Sequence, residues 1–361
     1  MQKYRILIVG AGIAGAAAAA FLGRSGHDVT LVERSVGARS SGSPVDVRGT
    51  ALEAARALGV EDALRARDTG ARTLAIVDGR GRTVTTIGMR PAPEDIEIAR
   101  VELAAVLAGA ARDVADIRFD ATFSLLEPHD DGVDVTFVDG REGRFDAVIG
   151  ADGQHSATRR ALWGSAAAVR PIGLAIATIP LDFEIDDPTV VRMHNEPGVS
   201  LTVHPAGGHP GVAFIFRCAA VPAGRDEQEG LLRTRYASTG WRAAEFLAAL
   251  GDAPDMYFDG VERVTSSSWS RGRVALLGDA ASSLTILGNG SSTALAGARV
   301  LDRAFADSES VEAAFVRYER LQRPSIERAQ RGAAAGAAFL VPKTTAGISV
   351  RNAAARVMRT V

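Results

Sequence analysis

A glycine-rich turn near the start of the sequence constrains the fold more than any other feature. Residues 4–9 form a short apolar run, and Gly10, Gly12 and Gly15 follow it as G-x-G-x-x-G before an alanine-rich segment that continues to Arg24. A strand, a tight turn and a helix in this order are typical of a dinucleotide-binding βαβ unit. We expect Gly10 to allow the turn, Gly12 to admit a pyrophosphate to the backbone N–H groups, and Gly15 to let the helix lie close to the strand.

The next strand supports this interpretation because an acidic residue ends it. Ser25-Gly26-His27 interrupts the helix, residues 28–32 form a second apolar strand, and Glu33 follows. An acidic side chain at this point is placed to accept hydrogen bonds from a ribose. An ordinary strand-turn-helix packing motif would leave Glu33 unexplained.

Composition excludes several other classes of protein. The 361 residues are 47% hydrophobic and 23% charged, so the chain can bury a large core, and we expect two closely joined domains. A net charge of −2 indicates neither a nucleic-acid partner nor an acidic membrane surface. The single cysteine excludes an internal disulfide and a multi-cysteine metal site, and no metal is expected. We see neither a signal peptide nor a membrane span, and we expect a cytoplasmic protein.

The first expected domain spans residues 1–168. Within it the sequence predicts a polar loop at 36–49, a helix at 50–58, a hairpin of strands 72–77 and 82–87, a helix at 101–112, and a meander of strands 118–125, 133–138 and 145–149. Gly150-Ala151-Asp152-Gly153 then brings the chain back to the glycine-rich turn.

The second expected domain spans residues 169–268, where the pattern changes to alternating strands. We predict strands at 172–185, 190–195, 199–205 and 212–217, followed by helical sequence at 225–250. Such a sheet is a natural wall for a substrate. Residues 269–361 are expected to return to the first domain, with Gly278-Asp279-Ala280-Ala281 after a buried strand, a helix after residues 287–292, and further C-terminal helices.

Three motifs together carry a family resemblance. They are G-x-G-x-x-G with Glu33, Asp152-Gly153-x-x-Ser156-x-x-Arg159, and Gly278-Asp279-Ala280-Ala281. As an ordered set over nearly the whole chain, they resemble the group A flavoprotein monooxygenases, which are built like p-hydroxybenzoate hydroxylase. Asp46, and Ile98-Ala99-Arg100 before a helix, are most similar to the tetracycline-inactivating branch. The resemblance implies an α/β fold with a Rossmann-like FAD-binding domain, an interleaved antiparallel-sheet substrate domain and C-terminal helices.

The resemblance also implies cofactor-binding roles for particular residues. The FAD pyrophosphate and ribose would be bound by Gly10, Gly12, Ile13, Ala14, Gly15 and Glu33, with Arg34 nearby, while Gly278 and Asp279 would hold the ribityl or pyrophosphate portion. The flavin side would be contacted by Asp46, Arg100 and the backbone of Gly288, Asn289, Gly290 and Ser291, and Arg39 would contact a nicotinamide cofactor.

Each of three assignments has a simpler structural alternative. The alternative for Arg100 is a cap or salt bridge at a helix end, and the alternative for Arg34 is a solvated surface charge. Asp152 is suited either to contact the cofactor or to shape a turn.

The resemblance implies the reaction as well. NADPH or NADH, bound transiently, would reduce FAD, and molecular oxygen would then give a flavin C4a-hydroperoxide that hydroxylates an electron-rich substrate. After Gly278-Asp279-Ala280-Ala281 the family commonly has a histidine and then a proline near the flavin, whereas this chain continues Ser282-Ser283-Leu284-Thr285-Ile286-Leu287. An FAD-dependent oxidoreductase of the same fold that does not insert oxygen therefore remains an alternative. A non-catalytic nucleotide-binding module would not need the third motif.

Substrate-binding residues are the least determined by the sequence. Arg192, His194 and Arg217, on the expected second sheet, are candidates for an anionic or phenolic substrate, and His204, Phe214 and Phe216 lie on the same expected sheet. Alternation puts Phe214 and Phe216 on one face and Arg217 on the other. A structural role is the competing explanation for all of them. The expected substrate is an aromatic, polyketide-like or terpenoid-like small molecule, and the protein is expected to be a monomer or a homodimer.

Overall fold

The computed structural model describes residues 2–36, 44–90, 92–164, 167–181, 183–208, 210–253, 255–283 and 289–358. The strands are β1 Arg5–Val9, β2 Asp28–Glu33, β3 Pro44–Val47, β4 Thr73–Val77, β5 Thr83–Gly88, β6 Ile96–Ala99, β7 Asp116–Phe119, β8 Phe123–Pro128, β9 Val133–Phe137, β10 Glu142–Phe145, β11 Ala147–Gly150, β12 Ala167–Pro180, β13 Val190–Glu196, β14 Val199–His204, β15 Gly211–Arg217, β16 Tyr257–Ser266, β17 Ser270–Arg271 and β18 Val274–Leu276. The helices are α1 Ile13–Arg24, α2 Thr50–Ala57, α3 Glu61–Arg65, α4 Arg100–Arg112, α5 Ala157–Trp163, α6 Arg225–Tyr236, α7 Ala243–Ala248, α8 Asn289–Ala306, α9 Val311–Arg331, α10 Ala333–Leu340 and α11 Thr345–Met358.

A six-stranded sheet, ordered β17-β18-β11-β1-β2-β7, forms the centre of the first layer. β1 pairs in parallel with both β2 and β11, and only the short β17 runs antiparallel to its neighbour. Ile6, Leu7 and Ile8 are fully buried, as expected for a parallel strand covered on both faces. The buried alanines of α1 let that helix contact both α4 and α8. The mixed α/β fold predicted from the sequence is confirmed.

The expected meander is present with different strands. β8, β9 and β10 form a three-stranded antiparallel sheet. Residues 116–119 and 147–150 belong instead to the six-stranded sheet, as β7 and β11. The sequence pattern predicted one strand where the structure has two, because the apolar run continues past the point at which the chain leaves one sheet and enters the other.

The second sheet has seven strands in the order β16-β12-β15-β14-β13-β4-β5. Its neighbours are antiparallel except β13 and β4, which are parallel. The hairpin β4–β5, which the sequence analysis placed in the first domain, therefore extends the second sheet. A two-stranded hairpin is marginally stable alone and gains stability by joining a larger sheet.

Helices α6 and α7 cover one face of this sheet. Phe214 and Phe216 are fully buried there, and the Phe214 ring centroid lies 5.0 Å from that of Tyr236 on α6. Arg217 points to the other face, where its guanidinium donates to the Val341 carbonyl oxygen at 2.8 Å. This distribution confirms the alternation predicted for β15.

The C-terminal helices do not include a single membrane-spanning candidate. Among the helices that the structure describes, none has by itself the length and apolarity to cross a bilayer. Residues 311–340 and 345–356 meet those criteria only as a pair, which is bent by 107°.

A buried histidine behind β1 makes stability depend on pH. The His27 side chain accepts the Tyr4 N–H at Nδ1 (3.2 Å) and packs on the Phe305 ring, and burial lowers its pKa below the usual value of 6.5. The unfolded chain therefore binds a proton at a higher pH than the folded chain does. Stability contributed by neutral His27 is present above pH of about 6.5 and is lost as pH falls toward the folded pKa.

We expect His27→Asn, which keeps an acceptor near Nδ1 but cannot titrate, to show a smaller loss of stability between pH 7 and pH 5 than the wild type. The measurement is the free energy of unfolding in urea at both pH values. An equal pH dependence in the two proteins would contradict this assignment.

Candidate cofactor and substrate site

The turn between β1 and α1 leaves open space beside one glycine. Gly10 has φ +102°, and a Cβ on it would lie 2.6 Å from the Ala151 carbonyl oxygen. A Cβ on Gly15 would lie 1.8 Å from the Gly10 oxygen, so both glycines are required by protein packing. A Cβ on Gly12 would meet no described atom within 4 Å. The protein itself does not use the space beside Gly12, as expected for a cradle that receives a pyrophosphate.

Glu33 is held next to this turn by backbone donors. Its Oε2 accepts the Ala11 N–H and its Oε1 accepts the Ser35 N–H, both at 2.9 Å. The carboxylate is thus fixed at the carboxyl end of β2, where a nucleotide ribose lies in this type of fold. Ribose binding by Glu33 stays a prediction, as does a role for Arg34, which is exposed.

The third motif packs directly against the first. Gly278 has φ +62°, and a Cβ on it would lie 2.7 Å from the Ala14 Cβ on α1. Asp279 follows, with its Oδ2 3.9 Å from the Arg100 guanidinium at the start of α4. Burial raises the pKa of Asp279, while Arg100 and Arg159 oppose that rise. The structure therefore brings Gly10–Gly15, Asp279 and Arg100 together.

The side chains of the second motif bond mainly to groups of the same turn and helix. The Asp152 carboxylate accepts hydrogen bonds from the Ser156 hydroxyl (2.5 Å), the Thr158 N–H (2.9 Å) and the Thr158 hydroxyl (3.1 Å). Ser156 in turn accepts the Arg159 N–H and caps α5. These bonds favour the turn-shaping role for Asp152.

Arg159 joins the second motif to the third, a role that the sequence analysis did not assign. The residue is 3% exposed, and its guanidinium donates to the carbonyl oxygens of Ala280 (2.9 Å) and Gln154 (2.5 Å). Its place in the motif was visible in the sequence, but the partner 121 residues away was not.

The β3–β6 ribbon forms another side of the site. Asp46 on β3 lies opposite Glu97 on β6, and its backbone oxygen accepts the Ser292 hydroxyl of α8 at 2.6 Å. Burial raises the pKa of Asp46, Arg48 opposes the rise at 3.2 Å, and Glu97 adds to it. Gly290 and Ser291 lie in the first turn of α8, which begins at Asn289. The expected positions Arg39 and Gly288 fall outside the described residues.

A cavity of about 560 Å³ lies between the seven-stranded sheet and the start of α4. Ala99 and Val101, on either side of Arg100 in the sequence, both line it, so the cavity opens at the start of α4. The other lining residues, many of them apolar, are Pro44, Ala66, Arg67, Asp68, Glu102, Thr178, Ile179, Pro180, His204, Ala206, Gly207, Pro210, Gly211, Val212, Ala213 and Asp255.

His204 is a fixed polar group in the cavity wall. Its Nδ1 accepts the Ala206 N–H at 2.9 Å, so the ring proton resides on Nε2, which donates to Glu97 Oε2 at 3.1 Å. Glu97 also accepts the Thr69 hydroxyl at 2.5 Å. The cavity wall is thereby tied to the β3–β6 ribbon.

The three candidates for substrate binding lie away from this cavity. His194 shares a sheet face with Leu201 and Phe214, the face covered by α6 and α7, and its Nδ1 contacts the Val77 carbonyl oxygen at 3.1 Å. Arg192, two residues earlier on β13, shares that face. Arg217 is bound to the Val341 carbonyl. None of the three residues lines the cavity, so substrate contact by Arg192, His194 and Arg217 stays a prediction. Alternation alone did not say that Arg192 and His194 lie on the face that the helices cover.

Comparisons with known proteins agree with this geometry. The FAD binding domain family matches residues 3–335. A flavin-dependent monooxygenase from an unknown prokaryotic organism is 33% identical over 338 residues, 90% of this chain and 87% of the relative. A flavin-dependent monooxygenase from Legionella longbeachae is 30% identical, covering 94% of this chain and 90% of its own.

Solved structures show the same relationship. The tetracycline destructase Tet(55) superposes with a TM-score of 0.86 at 29% identity, covering 99% of this chain and 96% of its own. HpxO from Klebsiella pneumoniae, in complex with FAD and uric acid, gives a TM-score of 0.82 at 25% identity, covering 98% of this chain and 93% of its own. The chain therefore belongs to the FAD binding domain family and is a group A FAD-dependent monooxygenase.

Proposed function

We propose that the protein hydroxylates an aromatic, polyketide-like or terpenoid-like small molecule, with NADPH or NADH as a transient reductant and a flavin C4a-hydroperoxide as the oxygenating species. The observation that carries the proposal is the position of the cavity of about 560 Å³ at the start of α4, where it is lined by the residues on either side of Arg100, the residue that pairs with Asp279 of the third motif. Bound FAD would supply the redox chemistry, and the chain would supply binding, orientation and exclusion of water.

The cofactor roles in the proposal follow the geometry. The open side of Gly12 would receive the pyrophosphate, and Glu33 would accept from the ribose hydroxyls. Asp279 would hold the ribityl portion, and Arg100, Asp46 and the first turn of α8 would contact the flavin. Donors at the start of α8 would favour a reduced, anionic flavin.

The cavity supports an organic substrate of moderate size. Its volume lies within the range of small-molecule sites, and its wall combines apolar side chains with a few polar groups. Arg192, His194 and Arg217 do not line this cavity, so the cavity itself gives no support for an anionic substrate through them. The related HpxO is complexed with uric acid in its crystal structure, which supports an electron-rich ring as one class to screen here.

The proposal for the reductant rests on the sequence. The chain has no second G-x-G-x-x-G for a separate nicotinamide domain, so the reductant would bind transiently at the flavoprotein surface. Arg34 and Arg39 are the candidates for phosphate recognition and favour NADPH, whereas Glu33 would repel a 2′-phosphate.

Isotope labelling tests the reaction. The FAD-loaded protein is given NADPH or NADH with phenols and polyketides under ¹⁸O₂, and we expect one labelled oxygen atom in the product. If every substrate gives only NAD(P)H oxidation and hydrogen peroxide, the result would favour the non-oxygenating oxidoreductase. That alternative arises because the chain continues with Ser282-Ser283 where the family commonly has a histidine and then a proline. A protein that cannot be loaded with FAD would contradict the proposal.

A further inference from the structure

Tyr257 lies on the cavity face of the seven-stranded sheet, in a strand to which the sequence analysis gave no role. It is the first residue of β16 and pairs directly with Thr178 of β12. Residues directly opposite each other in a sheet point to the same face, and Thr178 lines the cavity. The residue is 36% exposed.

The phenol also lies close to the groups expected around the flavin. Burial raises the pKa of Tyr257, and the charges of Asp259, Arg100 and Asp279 act on the hydroxyl as well. The hydroxyl is therefore a protonated phenol within reach of the charges of Arg100 and Asp279.

Asp259 holds this hydroxyl in one orientation. Its Oδ2 accepts the Tyr257 hydroxyl at 3.2 Å and lies 3.5 Å from His155 Nε2, while its Oδ1 accepts the Gly260 N–H at 2.8 Å. Gln154, beside His155 in the second motif, donates to the Gly260 carbonyl at 3.2 Å. Because the proton of Tyr257 points to Asp259, the lone pairs of its oxygen remain to accept a hydrogen bond.

We propose that Tyr257 is a substrate-orienting residue, whose hydroxyl oxygen accepts a hydrogen bond from an O–H or N–H group of the substrate, with Asp259 as the residue that positions it. The inference rests on the proposed function, because it takes the cavity as the substrate site. We therefore expect the substrate to carry a hydrogen-bond donor on the part that enters the cavity beside Arg100.

A pair of probes that differ in one hydrogen-bond donor tests the proposal. The dissociation constants of 2-naphthol and 2-methoxynaphthalene are measured by calorimetry on the FAD-loaded wild type, Tyr257→Phe and Asp259→Asn. We expect the wild type to prefer 2-naphthol, and each variant to bind it about three- to tenfold more weakly with little change for the ether. Tyr4→Phe, whose hydroxyl donates to Gln2 behind the first sheet, is the matched control and should keep the preference.

The proposal is overturned if the wild type shows no preference for 2-naphthol, or if Tyr257→Phe retains it. Melting temperatures should be unchanged in Tyr257→Phe, because the substitution removes one partly exposed hydroxyl. The ratio of the dissociation constants of the two probes is measured without turnover. If the wild type shows the preference, Tyr257→Phe loses it and no oxygen is transferred, only the proposed function is contradicted. If the wild type hydroxylates a substrate but Tyr257→Phe keeps the preference, only the role of Tyr257 is contradicted.

Discussion

Gly12→Ala should weaken FAD binding by about tenfold or more, about 1.4 kcal/mol, while leaving the folded apoprotein intact. The new methyl group would meet no described protein atom within 4 Å, and Gly12 has φ −72°, which alanine adopts without strain. The methyl group would instead occupy the space assigned to the pyrophosphate. The measurement is FAD titration of the apoprotein by flavin fluorescence, with the melting temperature recorded alongside.

Gly15→Ala is the matched control with the opposite expectation. Its Cβ would lie 1.8 Å from the Gly10 oxygen and 3.1 Å from the Gly10 carbonyl carbon, so α1 must move away from β1. We expect a loss of about 3 kcal/mol or more in the free energy of unfolding, or no folded protein. Unchanged FAD affinity in Gly12→Ala, or normal stability in Gly15→Ala, would contradict the placement of this turn.

Arg159→Met should destabilise the protein by about 2–5 kcal/mol and lower its FAD content. The substitution leaves the carbonyl oxygens of Ala280 and Gln154 without a donor in a site that is 3% exposed. It also removes the described link between the second motif and the residue that follows Asp279. Stability is measured by urea denaturation, and FAD content by absorbance of the purified protein.

Arg160→Met is the control for this change. Arg160 is the next residue, is exposed, and donates to the His155 carbonyl at 2.6 Å. We expect its loss to change stability by no more than about 0.5 kcal/mol. Similar stabilities of the two variants would show that the Arg159 bonds do not hold the motifs together.

The local elements of the first domain were predictable because the local signals and the tertiary packing agree. The turn after β1, the acidic end of β2 and the helix that begins near Arg100 each have a distinct sequence pattern, and the structure has an element at each place. The position of Asp279 beside the first motif followed from family resemblance rather than from spacing.

In the second domain, the sequence did not predict which strands pair with each other or which face of the sheet the helices cover. Period-two alternation identified β13 and β15, but it gave no sign that β4 pairs with β13 across more than 100 residues of chain. For the same reason, Arg192 and His194 could not be assigned to the face under α6 and α7. The role of Asp259 depends on Tyr257 and His155, which come together only when β16 meets the second motif.

The most direct test of the central claim is rapid mixing of the reduced protein with oxygen. The FAD-loaded protein is reduced anaerobically with NADPH and mixed with oxygenated buffer, with and without candidate substrates, while the flavin spectrum is followed in a stopped-flow instrument. We expect a transient C4a-hydroperoxide spectrum before oxidised flavin returns. Direct return of oxidised flavin in one phase, with every substrate tested, would contradict it.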